Sequence, residues 1–422
     1  MRNNFVKLTL SGAAAALILY FGAALAGGQS PSPNQSGEAP LPPSNDAVAA
    51  LETKLERGDA ALEYHPRLGY LPSLLKLLDV NSDSQVLVFS KTSFQQALIS
   101  PKNPRAIYFN DNVSVGAVPG GEVFEISALD PARGVAFYTL GMRQSDKPRL
   151  ERRSAVCGQC HDPVSVLVPG LMVTSVIPDS NGTPFFTGAF FNITDHRTPI
   201  DQRWGGWYVT GNSEPHLGNS IAPDREHPTD LDTKGNSNVL SLEGRFDTSK
   251  YLVPTSDIVA LMTLEHQTRA INLITSVSAQ ARSLLKKGPL SAAVKTKLDA
   301  AIEEIVMALM FADEAELHEP VKGVSTFTQS FPQRGPRDKQ GRSLRDFDLR
   351  KRMFRYPLSY MIYSEIFDNM EPSVQQRVYQ RIYEILSGKD TSAKYARLSA
   401  GDRSSILAIL RDTKSNLPEY FR

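Results

Sequence analysis

The spacing of hydrophobic positions changes near residue 255 of the chain. Before this point, short apolar or alternating runs separated by Gly, Pro, Asn and Asp predict strands over residues 84–89, 106–109, 122–127, 135–140, 171–177, 184–191 and 206–210. The turn-forming residues 130–134 predict that the third and fourth of these strands pair as a hairpin. Two short helices are predicted ahead of the strands, over residues 47–56 and 72–78.

After residue 255 the apolar positions recur at helical spacing, as at Val294, Leu298, Ile302, Ile305 and Leu309. The predicted helices span residues 256–285, 290–310, 358–369, 372–386 and 402–411. The sequence therefore predicts an α+β fold, with a β-rich and loop-rich first half followed by an all-α second half. The polar segment 212–238 between them has no clear period and is interpreted as a long loop.

The N-terminus has the features of an export signal. Arg2 and Lys7 precede an apolar stretch over residues 8–21, and Ala24-Leu25-Ala26 matches a small-residue cleavage site. We expect residues 1–26 to be a signal peptide or an uncleaved N-terminal anchor, and residues 27–46, rich in Pro, Ser and Gly, to be a disordered linker. The remaining predicted units are residues 47–254 and residues 255–422.

Charge excludes one class of partner. The 46 basic and 45 acidic residues nearly cancel, so no overall field attracts the chain to nucleic acid or to anionic lipid. Any membrane association is expected through the N-terminus alone. The expected location is periplasmic or otherwise exported.

The only two cysteines of the 422 residues lie in one motif, Cys157-Gly158-Gln159-Cys160-His161. C-x-x-C-H is the attachment signal of a c-type haem, in which both thiols bond the porphyrin and the histidine binds the iron. The sequence predicts one covalent haem c, with Cys157, Cys160 and His161 as its attachment and axial residues. This haem region is assigned to residues 47–254, and the helical region 255–422 is expected to pack on it.

Three other interpretations of the cysteine pair remain open. It is also compatible with a thioredoxin-like dithiol, with half of a zinc site or with a short-range disulfide. A thioredoxin motif is expected to follow a strand and open a helix of a βαβ unit, and the residues 151–154 before the motif fit this context poorly. A zinc site needs four ligands, and distant histidines would have to complete it.

The second axial ligand of such an iron is not fixed by the sequence. His266 lies on an otherwise apolar stripe of the predicted helix 256–285, and His216 lies in the long polar loop. Each is a candidate ligand, and His216 is also a candidate for lining a pocket. The competing interpretation of His266 is a core histidine that is hydrogen-bonded to a backbone carbonyl.

The haem propionates also need partners. Arg203, Trp204 and Trp207 lie within one short segment, and guanidinium and indole N–H groups are suitable donors to carboxylates. The alternative is a buried aromatic pair beside a surface arginine.

Five segments of the chain resemble a family of exported bacterial cytochrome c domain-containing proteins to which no reaction is assigned. They are residues 108–111, 157–161, 203–211, 216–219 and 354–360. The resemblance implies a haem-binding protein whose matching segments are spread over both halves of the chain. We expect electron transfer in the cell envelope with an unidentified redox partner protein. The alternative is a peroxidase-like or oxidase-like enzyme with an open axial site.

Overall fold

The computed structural model describes residues 43–185, 191–224, 226–228 and 230–422. The predicted signal peptide or anchor and residues 27–42 of the predicted linker lie outside these residues. No helix within the described ranges is long and apolar enough to cross a membrane.

The first half of the chain forms a seven-stranded antiparallel sheet with the strand order β6-β5-β4-β3-β2-β1-β9. Its strands are β1 (Val86–Val88), β2 (Arg105–Phe109), β3 (Val113–Ala117), β4 (Val123–Asp130), β5 (Gly134–Gly141), β6 (Leu150–Arg152) and β9 (Trp207–Tyr208). A separate two-stranded ladder joins β7 (Thr174–Val176) to β8 (Phe191–Ile193). The predicted hairpin is confirmed, because β4 pairs with β5 along its whole length.

The helices mostly follow the sheet in the chain. They are α1 (Ala47–Arg57), α2 (Leu71–Leu77), α3 (Ser154–His161), α4 (Thr233–Asn236), α5 (Ile258–Leu285), α6 (Ala292–Leu309), α7 (Phe327–Gln333), α8 (Glu365–Asp368), α9 (Pro372–Leu386) and α10 (Ala400–Thr413). A sheet in the first half and helices in the C-terminal half agree with the predicted α+β class.

Each face of the large sheet packs on a different core. Tyr108 and Phe124 point to the face that is covered by α1 and α2. Phe109 and Phe137 point to the opposite face, where the core continues into α5, α6 and α9. Because successive side chains of a strand alternate between faces, the period of two in β2, β4 and β5 serves both cores.

Helix α5 is the central element of the second core. Asp257 caps its start, since Oδ1 accepts the backbone N–H groups of Val259 and Ala260. The other oxygen, Oδ2, accepts the N–H groups of Val324 and Ser325, so the same carboxylate fixes a later loop against the helix. Most residues of the first four turns of α5 are buried.

One expectation for a short element was wrong, and another falls mostly outside the described residues. The predicted helix over residues 358–369 is a 3-10 turn, Tyr360–Tyr363, followed by α8. Ser359 and Ser364 each accept backbone N–H groups that a continuous helix would use, so each serine starts a new short turn. The predicted strand over 184–191 has residues 186–190 outside the described ranges, and β8 begins at Phe191.

Candidate functional site

The C-x-x-C-H motif lies on helix α3, directly after the edge strand β6. Cys157, Cys160 and His161 stand at positions i, i+3 and i+4, the spacing at which helical side chains are neighbours. Cys157 is half-buried against the core of the second half, whereas Cys160 is exposed, and both thiols are free. The helix therefore presents two thiols and one imidazole on the same side.

The ring of His161 is held in one orientation and one tautomer. Its Nδ1 lies 2.7 Å from the carbonyl oxygen of Gly170, and a carbonyl only accepts, so Nδ1 carries the hydrogen. The ring packs on Phe137 with centroids 4.5 Å apart. Burial lowers the pKa of His161, so the imidazole is neutral near pH 7. Nε2 then has an available lone pair, and none of the described residues hydrogen-bonds to it.

The loop that supplies Gly170 is fixed on α5. Asn272 accepts the N–H of Leu171 at 2.8 Å and donates to its carbonyl at 2.7 Å. Ser276, one turn further along the helix, bonds both the N–H and the carbonyl of Val166. The Gly170 N–H donates to the His161 carbonyl at 2.9 Å, which closes the loop on α3. Helix α5 thus positions the acceptor that orients the motif histidine.

The surroundings of both thiols raise their pKa values. Burial raises the pKa of Cys157 to about 12, with the Glu125 carboxylate adding to the shift, and burial also raises the pKa of Cys160. Catalytic dithiols depend on the opposite shift, because the thiolate is the nucleophile. Residues 151–154 were expected to fit a thioredoxin context poorly, yet β6 ends at Arg152 and α3 follows it directly. The environment nevertheless opposes a thioredoxin-like function.

Nothing in the described part of the chain supports the zinc interpretation. Within it, no group of three or more His, Cys, Asp or Glu side chains is arranged to hold a metal ion. The single imidazole beside the two thiols provides fewer ligands than the four that a structural zinc site uses.

The sheet beside α3 is only partly covered on the face that carries Phe137. Ile107, Glu125, Ser127 and Thr139 are half-exposed there, while the alternate residues on the other face are buried. Arg105 lies over Gly116, where a Cβ atom would meet its guanidinium, and pairs with Glu125 at 2.7 Å. Within the loop that follows α3, Val166 and Leu167 are 54% and 65% exposed. The motif thus adjoins a half-open, partly apolar surface with a cation at its side.

Arg203, Trp204 and Trp207 lie in a different and fully buried part of the structure. Arg203 donates to Glu265 at 3.0 Å and also to the carbonyls of Thr198 and His196. The Trp207 indole N–H donates to the carbonyl of Thr174 at 2.7 Å. The donors of Arg203 and Trp207 are therefore bonded to protein acceptors, and the propionate role of this segment stays a prediction.

His266 is hydrogen-bonded on both sides and links Ser359 to His196. Its Nε2 lies 2.7 Å from Ser359 Oγ and its Nδ1 lies 3.0 Å from His196 Nδ1. His196 Nε2 lies 3.4 Å from Asp313. Burial lowers the pKa of both histidines. Both ring nitrogens of His266 are thus in use, and binding iron would require one of these bonds to break.

His216 lies beside the tryptophan segment rather than beside the motif. Its ring meets the Trp204 ring edge-on at 5.1 Å, and its Nδ1 has no hydrogen-bond partner among the described residues. Burial lowers its pKa to about 4. The described contacts bring Arg203, Trp204 and His216 together, with His266 joined to them through His196. They do not connect this cluster to Cys157, Cys160 or His161.

Sequence reasoning missed the residues that orient His161. Phe137, Gly170 and Asn272 come from a strand, a loop and a helix that are far apart in the chain, and no local pattern marks them. Arg105, the cation beside the motif, also gave no signal, because an arginine in a short strand is unremarkable by composition. Comparisons of the chain with protein-family models, with curated proteins and with solved structures find no match.

Proposed function

We propose that the chain is an exported, mono-haem c-type cytochrome-like protein that transfers electrons in the cell envelope. The observation that carries this proposal is the state of His161. A neutral ring with hydrogen on Nδ1, fixed by a backbone carbonyl, is the form in which histidine binds a metal through Nε2. It stands beside two thiols at helical neighbour positions, in the order that haem attachment requires.

The residues around α3 fit such a group. Cys157 and Cys160 would hold the porphyrin, and His161 would bind its iron, with Gly170 and Phe137 keeping the imidazole in place. The half-open sheet face and the apolar loop at Val166 and Leu167 offer a surface for a large flat ligand. Arg105 is a cation close enough to the motif to affect the Cys157 thiol, and it is a suitable partner for a propionate.

When bound, a c-type haem supplies reversible one-electron chemistry at iron. The protein residues determine how readily that electron is accepted. The hydrogen bond from Nδ1 to Gly170 raises the basicity of the imidazole, and partial burial lowers the local dielectric constant. The exposed Cys160 side leaves an edge of the site near the surface, where a redox partner protein can approach.

Export agrees with this chemistry. Thioether haem is assembled outside the cytoplasm, and the N-terminal pattern of Arg2, Lys7 and Ala24-Leu25-Ala26 predicts a periplasmic or otherwise exported location. An uncleaved N-terminus would tether the protein to the membrane. The near-zero net charge gives no reason to invoke nucleic acid.

A second candidate function is a haem-dependent oxidoreductase with an open axial site. The use of both His266 nitrogens by Ser359 and His196 favours it, because the best-placed histidine is engaged elsewhere. His216 packs on Trp204, and no described contact connects it to α3. An iron bound by His161 alone would leave one position for a small molecule.

The test is mass spectrometry of the full chain produced with a haem-maturation system. The tryptic peptide that carries both cysteines is expected to gain the mass of one haem. Single Cys157→Ser and Cys160→Ser variants lose one thioether each, and the double variant loses the covalent mass entirely. A wild-type peptide of unmodified mass would refute the proposal.

The visible spectrum separates the two candidates. Electron transfer with two axial ligands predicts a low-spin spectrum in both oxidation states that carbon monoxide leaves unchanged. An open site predicts a high-spin ferric spectrum and a shift of the reduced bands with carbon monoxide. His266→Ala leaves the spectrum unchanged if His266 is a core residue and shifts it to high spin if His266 is the second ligand.

A further inference from the structure

A polar recess lies where the sheet meets the helical half, in contact with segments that the proposed haem site does not use. Its lining includes Asn110 and Asp111 at the end of β2, Asp83 before β1, and Arg345 in the loop after α7. The inner recess has a volume of about 20 Å³. It adjoins an outer cleft of about 620 Å³, whose walls share Asn110, Asp111 and Arg345 with it.

Asp83 brings a buried, half-satisfied carboxylate to the recess. Its side chain is 6% exposed. Oδ2 accepts hydrogen bonds from Thr326 Oγ1 at 2.9 Å and from Ser330 Oγ at 2.5 Å. No described group hydrogen-bonds to Oδ1. Because a buried carboxylate oxygen without a donor is costly, this oxygen is a strong acceptor for a ligand.

Arg345 brings a rigid donor to the same recess. Its guanidinium lies between the Phe331 and Tyr360 rings, at 4.6 and 4.5 Å from their centroids. One terminal nitrogen donates to Asp111, while the buried Nε has no described acceptor. Stacking on both sides fixes the plane of the guanidinium, so the direction of the Nε–H bond is fixed as well.

The charges that line the site nearly cancel. Arg345 faces Asp83 and Asp111, and at the rim Arg334 pairs with Asp79. A charged ligand would leave an unbalanced charge in a buried position, which costs several kcal/mol when no partner is provided. A neutral hydroxyl group meets both requirements, since it can donate to Asp83 Oδ1 and accept from Arg345 Nε.

The dimensions set how much of a ligand enters. The inner recess is of the size that holds a single water or hydroxyl group. The outer cleft has room for several more groups, and Asn81, Asn112 and Gln333 line it with amide donors and acceptors. This combination suits a molecule with a hydroxyl on each of several adjacent carbons.

We propose that this recess and cleft form a binding site for a small neutral polyhydroxylated molecule, a sugar or polyol that inserts one hydroxyl between Asp83 and Arg345. The site involves residues 109–111, within a segment that the haem proposal does not explain. Binding here requires neither an attached haem nor a redox partner.

The site faces the same side of the sheet as the motif histidine. Phe109 of β2 pairs with Ser114, Ser114 with Ser127, and Ser127 with Phe137 of β5, which touches the His161 ring. Three strand spacings separate Phe109 from Phe137, which is about 14 Å.

The test is isothermal titration of the full-length protein with glucose and glycerol as neutral probes, and with gluconate and glucosamine as charged counterparts of glucose. We expect saturable binding of at least one neutral probe, and at least tenfold weaker binding of both charged ones. The proposal is overturned if neither neutral probe shows saturable binding, or if a charged probe binds more tightly than the neutral ones.

Variants locate the binding in the recess. In Asp83→Asn, the hydroxyl groups of Thr326 and Ser330 still donate to the side-chain oxygen. The amide nitrogen then takes the place of Oδ1 in the recess, so a hydrogen-bond acceptor is replaced by a donor. We expect at least tenfold weaker binding, and a similar loss in Arg345→Lys, which removes Nε. The matched control is Asp299→Asn, an exposed carboxylate on α6 that should bind as the wild type does.

Thermal unfolding of each variant checks that it folds. If a buried substitution abolishes folding, the exposed residue Gln333 at the outer cleft decides the question. Gln333→Ala is expected to weaken binding severalfold without changing the melting temperature. Wild-type affinity in every folded recess and cleft variant would reject this location.

Discussion

Ser359, His266 and His196 form a row of hydrogen-bonded side chains in the helical core. Ser359 Oγ lies 2.7 Å from His266 Nε2, and the Nδ1 atoms of the two histidines lie 3.0 Å apart. Burial lowers the pKa of both rings, and between two neutral rings only one of the two Nδ1 atoms carries the hydrogen of the shared bond. His196 Nε2 also lies 3.4 Å from Asp313, without hydrogen-bond geometry. Although burial raises the pKa of Asp313, the neighbouring His196 and Arg269 lower it to about 2.

His216 makes stability depend on pH. Its pKa in the folded chain is about 4, whereas its ordinary value is 6.5, because burial disfavours the charged ring. Between these values the unfolded chain binds a proton that the folded chain does not. The stabilisation is complete above pH 6.5 and is lost as the pH falls toward 4, at about 1.4 kcal/mol per pH unit.

The measurement is urea unfolding of the wild type and of His216→Gln over this pH range. As the pH falls, the free energy of unfolding of the variant is expected to decrease less steeply than that of the wild type. The reason is that the variant takes up one proton fewer on unfolding. Glu265 and Glu314, whose pKa values burial raises, act in the opposite direction, but they are present in both proteins and cancel in the difference. The exposed His318 provides the control, since His318→Gln should retain the wild-type slope. Equal slopes for wild type and His216→Gln would contradict the prediction.

At the scale of elements, α5 connects the core to the motif. Its apolar residues fill the second core, and its polar ones fix loops that come from the first half of the chain. Asn272 matters most for the site, because both of its amide groups bond the backbone of Leu171, next to the Gly170 carbonyl.

Replacing Asn272 by Ala should destabilise the fold by about 1 kcal/mol, since two part-buried backbone groups of Leu171 lose their partners. Asn272→Asp is expected to be as harmful, because its second oxygen faces the Leu171 carbonyl. Lys286→Ala, an exposed change at the end of the same helix, should have almost no effect. Urea midpoints measure all three. In the proposed haem-bound form, the two Asn272 variants should also shift the visible spectrum, because the loop that presents the Gly170 carbonyl to the imidazole loses its anchor on α5.

The long helices, the short helices α1 and α2 and most strands of the large sheet were predicted from the sequence, whereas other short elements were missed. Helices α5, α6 and α9 have enough turns for an apolar spacing to stand out, and their bounds were found within a few residues. Strands β3 and β6 were missed because β3 contains Ser and Gly and β6 has only three residues. Helix α3 was missed because its cysteines and glycine give no amphipathic pattern, and contacts with β5 and with the loop on α5 hold it in place.

At the scale of the whole molecule, the same limit applies to the candidate site. The sequence points to Cys157, Cys160 and His161 as candidates, because the proposed haem attachment requires a fixed local spacing. It did not identify Gly170 or Phe137, nor the recess at Asp83 and Arg345, because these depend on pairing between distant segments. The placement of Arg203 illustrates the reason, since its buried partner Glu265 lies 62 positions along the chain.

The two halves should unfold together, because one core includes side chains from both. Phe137 and Trp204 of the first half belong to the same buried cluster as Ile274 and Leu309 of the second. Both tryptophans of the chain, Trp204 and Trp207, lie in this cluster and report on the first half, while far-ultraviolet circular dichroism reports mainly on the helices. Urea unfolding followed by the two signals is expected to give one shared midpoint.

Ile274→Ala makes the test sharper. It removes a fully buried side chain from α5 and should cost about 2–5 kcal/mol. If the core is one cooperative unit, the tryptophan and dichroism midpoints shift by the same amount, although the tryptophans are far from the substitution in sequence. A dichroism midpoint that moves while the tryptophan midpoint stays in place would show that residues 47–254 and 255–422 unfold as separate domains.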